Sequence, residues 1–186
     1  LSKYSQDERF KDLFSRTKNE VFKSWVYDEK HSCYLWTQHF EDDLQFIGAA
    51  HGTFGNIQAL MACKELLSTN EINLIFERAE QLFKNLLVIT DDGEVNWKTR
   101  TNSDKTPLMH WCHGAPGIVC SLSHILPRSK EIDDIFIKAG ETILKAGPLK
   151  KGTSLCHGTS GNGFAFLKLY KRFGDDLWLE RAKTFL

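Results

Sequence analysis

Two Cys-His-Gly tripeptides, at residues 112–114 and 156–158, are the part of this 186-residue sequence best suited to do chemistry. The histidine of each tripeptide is the first residue of a His-Gly-x-x-Gly pattern. The same pattern occurs a third time at residues 51–55, where alanine and not cysteine precedes the histidine. Thiolate sulfur and imidazole nitrogen are ligands that zinc prefers, and a catalytic zinc keeps three protein ligands and an open position. The repeated tripeptides therefore predict a zinc site.

The residues alone leave the ligand set of this site open. Adjacent side chains such as those of Cys112 and His113 have difficulty reaching one metal ion unless the loop is shaped for it. The spacing also matches no zinc-finger pattern. Five donors are candidates, which is more than one ion needs: His51, Cys112, His113, Cys156 and His157.

The remaining cysteines and histidines are expected to be structural or surface residues. Buried cysteines and hydrogen-bonded histidines are common in folded proteins without any chemical role. His110 is expected to be a loop residue and not a fourth ligand, and a disulfide between Cys112 and Cys156 is disfavoured by the apparent compartment. The other residues in this group are Cys33, Cys63, Cys120, His31, His39 and His124.

Composition and charge narrow the class of protein. Lys plus Arg and Asp plus Glu each number 24, so no net charge favours a nucleic-acid partner or an anionic membrane. Five cysteines at irregular spacing indicate reduced thiols and a cytoplasmic location. The sequence has no apolar run of about 20 residues, and its first residues lack the basic-then-apolar pattern of a signal peptide. Because it begins with Leu1 and its last helical pattern stops at Leu186, we expect a piece of a longer chain.

The elements that must position the tripeptides are helices. Amphipathic patterns are expected to form outer helices over residues 5–25, 71–88 and 131–146, and a fourth begins at Asp175. A short apolar segment after each His-Gly-x-x-Gly predicts a buried inner helix, and residues 89–111 and 147–156 are expected to be loops. No segment shows the alternation of apolar and polar residues that is typical of a strand, so the predicted fold class is all-α. If stacked helical hairpins close into a ring, the starts of the inner helices meet on one face.

The segments FIGAAHGTFG, MHWCHGAPG and KKGTSLCHGTSGN closely resemble those of the lanthionine synthetase C-like family, and in particular its eukaryotic LanC-like members. The resemblance covers essentially the whole chain in the same order. It implies an α/α toroid of seven helical hairpins, of which residues 1–186 would supply about three to four. Hairpins are then expected before Leu1 and after Leu186.

The resemblance also implies roles for the site residues. Cys112, Cys156 and His157 would bind a catalytic Zn²⁺, with water or a substrate thiol in the fourth position. His51, in the AAHG motif, would act as the acid or base. Lys151, five residues before the cysteine of the later motif, would bind glutathione, and His113 would lie on the substrate side of the site.

The activity implied by the resemblance is zinc-dependent addition of a thiol to dehydroalanine or dehydrobutyrine, which gives a thioether. Bacterial relatives use a cysteine of the same peptide, whereas the eukaryotic branch, which the GAPG and LKKG context favours, is similar to transferases that add glutathione to dehydrated residues of proteins. The implied partners are glutathione and dehydroamino-acid-containing peptides. A peripheral membrane association would depend on segments outside these 186 residues.

Two other functions remain open from the sequence. In one, the zinc site is part of a non-catalytic scaffold or sensor that binds glutathione. In the other, zinc is purely structural and has a closed shell of four ligands that includes His113.

Overall fold

The computed structural model describes residues 6–39 and 43–185, and seven α-helices account for about half of this part of the chain. The predicted all-α class is confirmed. The helices are α1 Glu8–Lys23, α2 Thr53–Ala62, α3 Thr69–Asn85, α4 Ala115–Leu122, α5 Lys130–Ala146, α6 Thr159–Phe173 and α7 Asp176–Lys183, and a single 3₁₀ turn, Lys64–Leu66, follows α2.

The four predicted amphipathic segments form α1, α3, α5 and α7, each started by a polar side chain that accepts from a backbone amide. Ser68 and Glu71 form a capping box at α3, and Ser129 caps α5. Asp7 caps α1, so this helix begins three residues later than the predicted start at Ser5, which lies outside the described residues. Asp175 caps α7 as the predicted start requires.

The three apolar segments form α2, α4 and α6, which lie side by side with α4 in the middle. All eight residues of α4 are buried. α3 packs against α2, α5 packs against α4 and α6, and α7 packs against α6, so an outer layer covers an inner one. The prediction of buried inner helices holds throughout α4 only, because α2 exposes Asn56, Ala59 and Ala62, and α6 exposes Phe164 and Leu167 at 49% and 40%.

Short antiparallel hairpins accompany the helices, and the sequence did not predict them. The strands are β1 Trp25–Asp28 with β2 Cys33–Trp36, β3 Gln38–His39 with β4 Asp43–Leu44, and β5 Leu87–Ile89 with β6 Val95–Trp97. They are only two to four residues long, too short for the alternation that marks a strand in a sequence. Of the last pair, β6 lies in what we expected to be a loop, whereas β5 overlaps the end of the helix that we expected over residues 71–88, because α3 ends at Asn85.

The β6 strand is part of the core and not a surface hairpin. Its three residues are buried, and Trp97 donates from Nε1 to the Phe83 carbonyl of α3 at 3.0 Å. The Val95 amide donates to Thr142 Oγ1 of α5 at 2.9 Å. β6 is therefore fixed from both sides, and this matters for the site because it lies beside the loop that leads into α4.

Within residues 6–39 and 43–185, no helix combines the length and the apolar composition that crossing a bilayer requires.

Candidate metal centre and active site

The three His-Gly-x-x-Gly segments fold in the same way, as a loop that turns back on itself and then enters an inner helix. Each of their glycines faces the carbonyl oxygen of the residue six positions earlier. A Cβ built on any of these glycines would lie within 2.5 Å of that oxygen. The repeated glycines are therefore required by close backbone approach. The pairs of glycine and carbonyl are Gly52 and Phe46, Gly55 and Ala49, Gly114 and Leu108, Gly117 and Trp111, Gly158 and Gly152, and Gly161 and Leu155.

We expect Gly117→Ala to lower the free energy of unfolding by about 2–3 kcal/mol, because overpacking typically costs this much. Alanine normally stabilises a helical position relative to glycine by about 0.5–1 kcal/mol. At Gly117 the new methyl group would instead meet the Trp111 carbonyl and lie 2.9 Å from the Ala49 side chain. Urea unfolding measures the difference.

Gly163→Ala is the matched control, since Gly163 is also helical but its built Cβ meets nothing closer than the Phe185 Cβ at 3.3 Å. We expect a cost below about 1 kcal/mol for this variant, because only a small adjustment is needed. Equal stabilities of the two variants would contradict the close-approach account of the repeat.

The starts of the inner helices meet at one place, as the hairpin arrangement predicted. The Cys112 amide donates to the Cys156 carbonyl at 2.9 Å, which joins the second and third segments. The Ala50 amide donates to the Cys112 carbonyl at 3.4 Å, which joins the first segment to the second. Residues more than 40 positions apart in sequence therefore share one small volume.

Three potential metal ligands converge at this junction. The sulfurs of Cys112 and Cys156 and a ring nitrogen of His157 all lie within 4.8 Å of one another. Ligands at about 2.0–2.3 Å from a tetrahedral zinc ion lie roughly 3.5–3.8 Å apart, so these donors need only small adjustments to bind one ion. His113 and His51 are not members of this group. The residues present therefore fit a metal ion of the kind that prefers sulfur and nitrogen.

Burial and the neighbouring thiol act together on Cys112. The side chain is buried, and loss of solvation, followed by the contact with Cys156, raises the pKa of the Cys112 thiol to about 11. In the chain alone this sulfur therefore stays protonated at neutral pH. A cation between the two sulfurs reverses the effect of the neighbour, since it favours the deprotonated form of both. All five cysteines are free thiols.

His51 and His113 form an aromatic group with Phe46 beside the junction. The His51 and His113 ring centroids are 5.7 Å apart, and the Phe46 ring stacks on His113 at 5.8 Å. His51 is exposed, whereas His113 is half-buried and its Nδ1 has no hydrogen-bond partner. Burial, followed by the charges of His51 and His110, lowers the pKa of His113. The His113 ring therefore lies half-buried beside the junction without a hydrogen bond at Nδ1.

His110 and Lys151 lie near the donor group, and the His110 amide donates to the His113 carbonyl at 3.1 Å. The His110 ring is buried, with its centroid 6.3 Å from that of His157. Burial lowers the pKa of His110, and the charges of Lys151 and His157 act in the same direction. Lys151 itself is exposed. Its ammonium group is thus close enough to influence the site and free to bind an anionic group.

The residues expected to be structural lie outside the donor group. His31 and His39 pair with Asp28 and Asp43, each at 2.6 Å. Burial, followed by the Asp28 charge, raises the pKa of Cys33 to about 11. Burial raises the pKa of Cys120 to about 12, and Cys63 is buried at the end of α2. His124 is exposed beyond the end of α4.

The family model described as "Lanthionine synthetase C-like protein" matches residues 2–186. The chain belongs to this lanthionine synthetase C-like family. The LanC-like assignment also confirms the α/α toroid class for the layered helices.

Two curated relatives are similar to this LanC-like chain. "Glutathione S-transferase LANCL1" of Danio rerio is 29% identical over 163 residues, which cover 86% of this chain and 38% of the relative. "LanC-like protein GCL1" of Arabidopsis thaliana is 31% identical over 144 residues, which cover 76% of this chain and 32% of the relative. The chain thus spans less than two fifths of the length of either relative.

Sequence reasoning missed two residues of this LanC-like site, Phe46 and Asn96. Phe46 stands in the FIGAAHG segment, but an aromatic residue before a histidine motif gives no signal of its own. Asn96 lies in β6, 16 positions before Cys112, in a segment read as an irregular loop. Only the contact between β6 and the loop before α4 connects Asn96 with the site.

Proposed function

We propose that this LanC-like chain carries the metal centre of a thiol transferase, which adds glutathione to dehydroalanine or dehydrobutyrine residues of peptides or proteins. The observation that carries the proposal is the convergence of Cys112, Cys156 and His157. Two sulfurs and one nitrogen suit Zn²⁺, and three protein ligands leave a fourth position for a substrate. The printed name of the zebrafish relative, a glutathione S-transferase, supports glutathione as the thiol.

In this proposal Cys112, Cys156 and His157 hold Zn²⁺. Bound zinc supplies positive charge that favours the thiolate of a substrate, since a free thiol with a pKa of about 8.5 is only a few per cent ionised at neutral pH. Cys112 is buried, whereas Cys156 is half-buried and His157 is exposed. A substrate therefore reaches the centre from the side of the third segment.

The reaction adds the S–H of glutathione across the C=C bond of the dehydroamino acid, and nothing is oxidised or reduced. A C–S bond forms at the β-carbon, the π electrons move onto the α-carbon and its carbonyl, and the α-carbon then takes a proton. We assign the delivery of that proton to His51, which is exposed and whose ring lies 5.7 Å from that of His113. His113 lines the substrate side together with Phe46.

Glutathione carries two carboxylates, and Lys151 is the cation that we assign to one of them. An exposed ammonium group beside the donor group can pair with a carboxylate without first breaking another ion pair. Residues 1–186 then act as part of an α/α toroid of about seven hairpins, in which other hairpins complete the enclosure of the site. Free thiols at all five cysteines fit a reducing compartment such as the cytoplasm.

We expect the zinc-loaded protein with its full set of hairpins to convert glutathione and a dehydroalanine peptide into the thioether, and His51→Asn to slow this conversion by about 100-fold or more, as loss of a general acid typically does. Zinc content should be unchanged, because His51 is not in the donor group. Mass spectrometry of the peptide measures the product, and atomic absorption measures the metal.

His124→Asn is the matched control, since His124 is exposed but lies beyond the far end of α4. It should leave both rate and metal content at the wild-type level. Zinc-dependent glutathione binding without any thioether would instead support a non-catalytic scaffold. Loss of zinc in His113→Asn would indicate a closed structural site and contradict the open fourth position.

A further inference from the structure

The inner helices begin in two different ways. In α2 the first amide, that of Thr53, donates to the Phe46 carbonyl seven residues earlier, at 3.0 Å. In α6 the Thr159 amide donates to the Gly152 carbonyl, also seven residues earlier and also at 3.0 Å. This direct backbone bond closes the loop of the first and third His-Gly-x-x-Gly segments.

In the second segment a side chain takes the place of that bond. The Ala115 amide at the start of α4 donates to Asn96 Oδ1 at 2.8 Å, and Asn96 Nδ2 donates to the Leu108 carbonyl at 3.2 Å. Leu108 is the residue seven positions before Ala115. The carboxamide of Asn96 is therefore inserted between the two backbone groups that bond directly in the other copies.

Asn96 is well fixed for this task. Its side chain is buried, and Oδ1 also accepts from the Trp97 amide at 2.8 Å. Because two amide donors face one end of the carboxamide and a carbonyl faces the other, only one orientation of the amide satisfies the network. The strand that carries Asn96 is in turn fixed by the bond between the Val95 amide and Thr142.

The inserted amide coincides with a different backbone at the second segment. Gly114 has φ of +109°, whereas the equivalent Gly52 and Gly158 have φ of −134° and −109°. The roles of the tripeptides differ as well. In the third segment both the cysteine and the histidine join the donor group, whereas in the second only Cys112 does and the His113 ring stacks on Phe46.

We propose that Asn96 is the positioning residue of the thiol pair: by holding both ends of the 108–115 loop apart, it directs the Cys112 sulfur toward Cys156 and turns His113 away. This inference rests on the metal centre of the proposed function for its role, but its geometric content concerns only residues of this chain. Asn96 itself binds neither metal nor substrate.

Cobalt binding to the whole chain tests the inference without any enzymatic assay. Co²⁺ bound by thiolates absorbs in the near ultraviolet, and the intensity grows with the number of sulfur ligands. We expect Asn96→Ala to raise the dissociation constants of Co²⁺ and Zn²⁺ by about 10–100-fold, as loss of a residue that orients a ligand typically does. The absorption per bound Co²⁺ should fall to about half when one of two sulfurs leaves the metal.

Thr142→Val is the matched control. It removes a buried hydrogen bond of 2.9 Å to the adjacent residue of the same strand but has no bond to the 108–115 loop. It should lower the midpoint of urea unfolding, by less than Asn96→Ala because it leaves one backbone amide and not three backbone groups without a partner, while leaving metal affinity and absorption at wild-type values. Equal metal binding in the two variants would overturn the inference.

A metal-free measurement separates this inference from the proposed function. A bifunctional thiol reagent that fluoresces only when both arms react should cross-link Cys112 with Cys156, and Cys112→Ala gives the background. We expect the cross-linking yield to fall in Asn96→Ala. An undiminished yield would overturn the inference. If the wild type binds no metal but cross-links in an Asn96-dependent way, the proposed function fails and the positioning role stands.

Asn96→Asp keeps the test decisive if the alanine variant does not fold. A carboxylate still accepts from the Ala115 and Trp97 amides, so the start of α4 is retained, but it presents an oxygen to the Leu108 carbonyl in place of a donor. We expect at least about a 10-fold loss of metal affinity and a reduced cross-linking yield. Wild-type values for both would also overturn the inference.

Discussion

Replacing Cys112 with alanine should weaken Zn²⁺ binding by roughly a hundredfold to a thousandfold, because the 10–16 kcal/mol with which structural zinc binds to four ligands amounts to about 2.5–4 kcal/mol for each. The loss should be this large because the two remaining donors come from one tripeptide. Without the sulfur from the second segment, the metal is held only by the adjacent Cys156 and His157. Competition with a zinc-binding dye measures the dissociation constant directly.

Cys63→Ala is the matched control for this variant. Cys63 and Cys112 have the same exposed fraction, 7%, and both are free thiols, but Cys63 is not in the donor group. Its replacement should cost some stability without changing zinc affinity. Tight zinc binding by Cys112→Ala would contradict the ligand assignment, and equal weakening by Cys63→Ala would show that the loss follows from destabilisation.

The sequence predicted the parts of the site that repeat. Three copies of one pattern, each followed by an apolar segment, identified the three inner helices and the junction at their starts. The helical period of α3 and α5 was readable because one face of each helix packs on the inner layer along its whole length. Repetition and periodicity are local properties, so a single sequence displays them.

The contribution of β6 was not predictable, because it depends on contacts that are distant in sequence. Three buried residues cannot display alternation, and what holds Val95 and Trp97 in place comes from Thr142 and Phe83 on two different helices. The same holds for Asn96, whose partners Leu108 and Ala115 carry no polar side chain that would suggest a connection. A polar residue read as part of a loop thus lies beneath the candidate metal centre.

The sequence also could not show that His113 lies outside the donor group while His157 belongs to it. Residues 112–113 and 156–157 are the same dipeptide, and adjacency alone left both histidines as candidate ligands. The structures of the loops separate them, since Gly114 has a positive φ and Gly158 does not. The second segment therefore contributes only a sulfur to the donor group, whereas the third contributes a sulfur and a ring nitrogen, because the backbone at their glycines differs.

Replacing Arg172 with methionine should lower the free energy of unfolding by about 3–5 kcal/mol, because it leaves the buried carbonyls of Ser123 and Leu126 and one oxygen of Asp133 without their donors, at about 1–3 kcal/mol each. Arg172 lies in the last turn of α6, and its side chain is only 3% exposed. Burial lowers the pKa of its guanidinium, which nevertheless stays charged beside Asp133, at 2.6 Å. Urea unfolding measures the effect. The guanidinium also donates to three carbonyls at and beyond the end of α4, those of Ser123, Leu126 and Pro127, at 2.7–2.9 Å.

Methionine keeps the apolar contact with the neighbouring ring of Phe136 but leaves the carbonyls of the α4 terminus without donors. Lysine should rescue little, since one ammonium group cannot reach acceptors arranged for a planar fork. The matched control is Arg181→Met. Arg181 pairs with Glu141 at 2.7 Å, but the Glu141 side chain is 51% exposed, and such pairs are worth less than about 1 kcal/mol.

Arg172 and Asn96 bond to opposite ends of α4. Variants of the two residues therefore distinguish an effect on the stability of the protein from an effect on the geometry of the metal centre. Asn96 bonds to the first residue of the helix, next to Cys112, whereas Arg172 bonds to the carbonyls at and beyond its last turn. We therefore expect Arg172→Met to lose at least as much stability as Asn96→Ala and yet, below its unfolding midpoint, to bind zinc with wild-type affinity. A zinc affinity that fell in step with stability in both variants would mean that the metal centre senses only the overall integrity of α4.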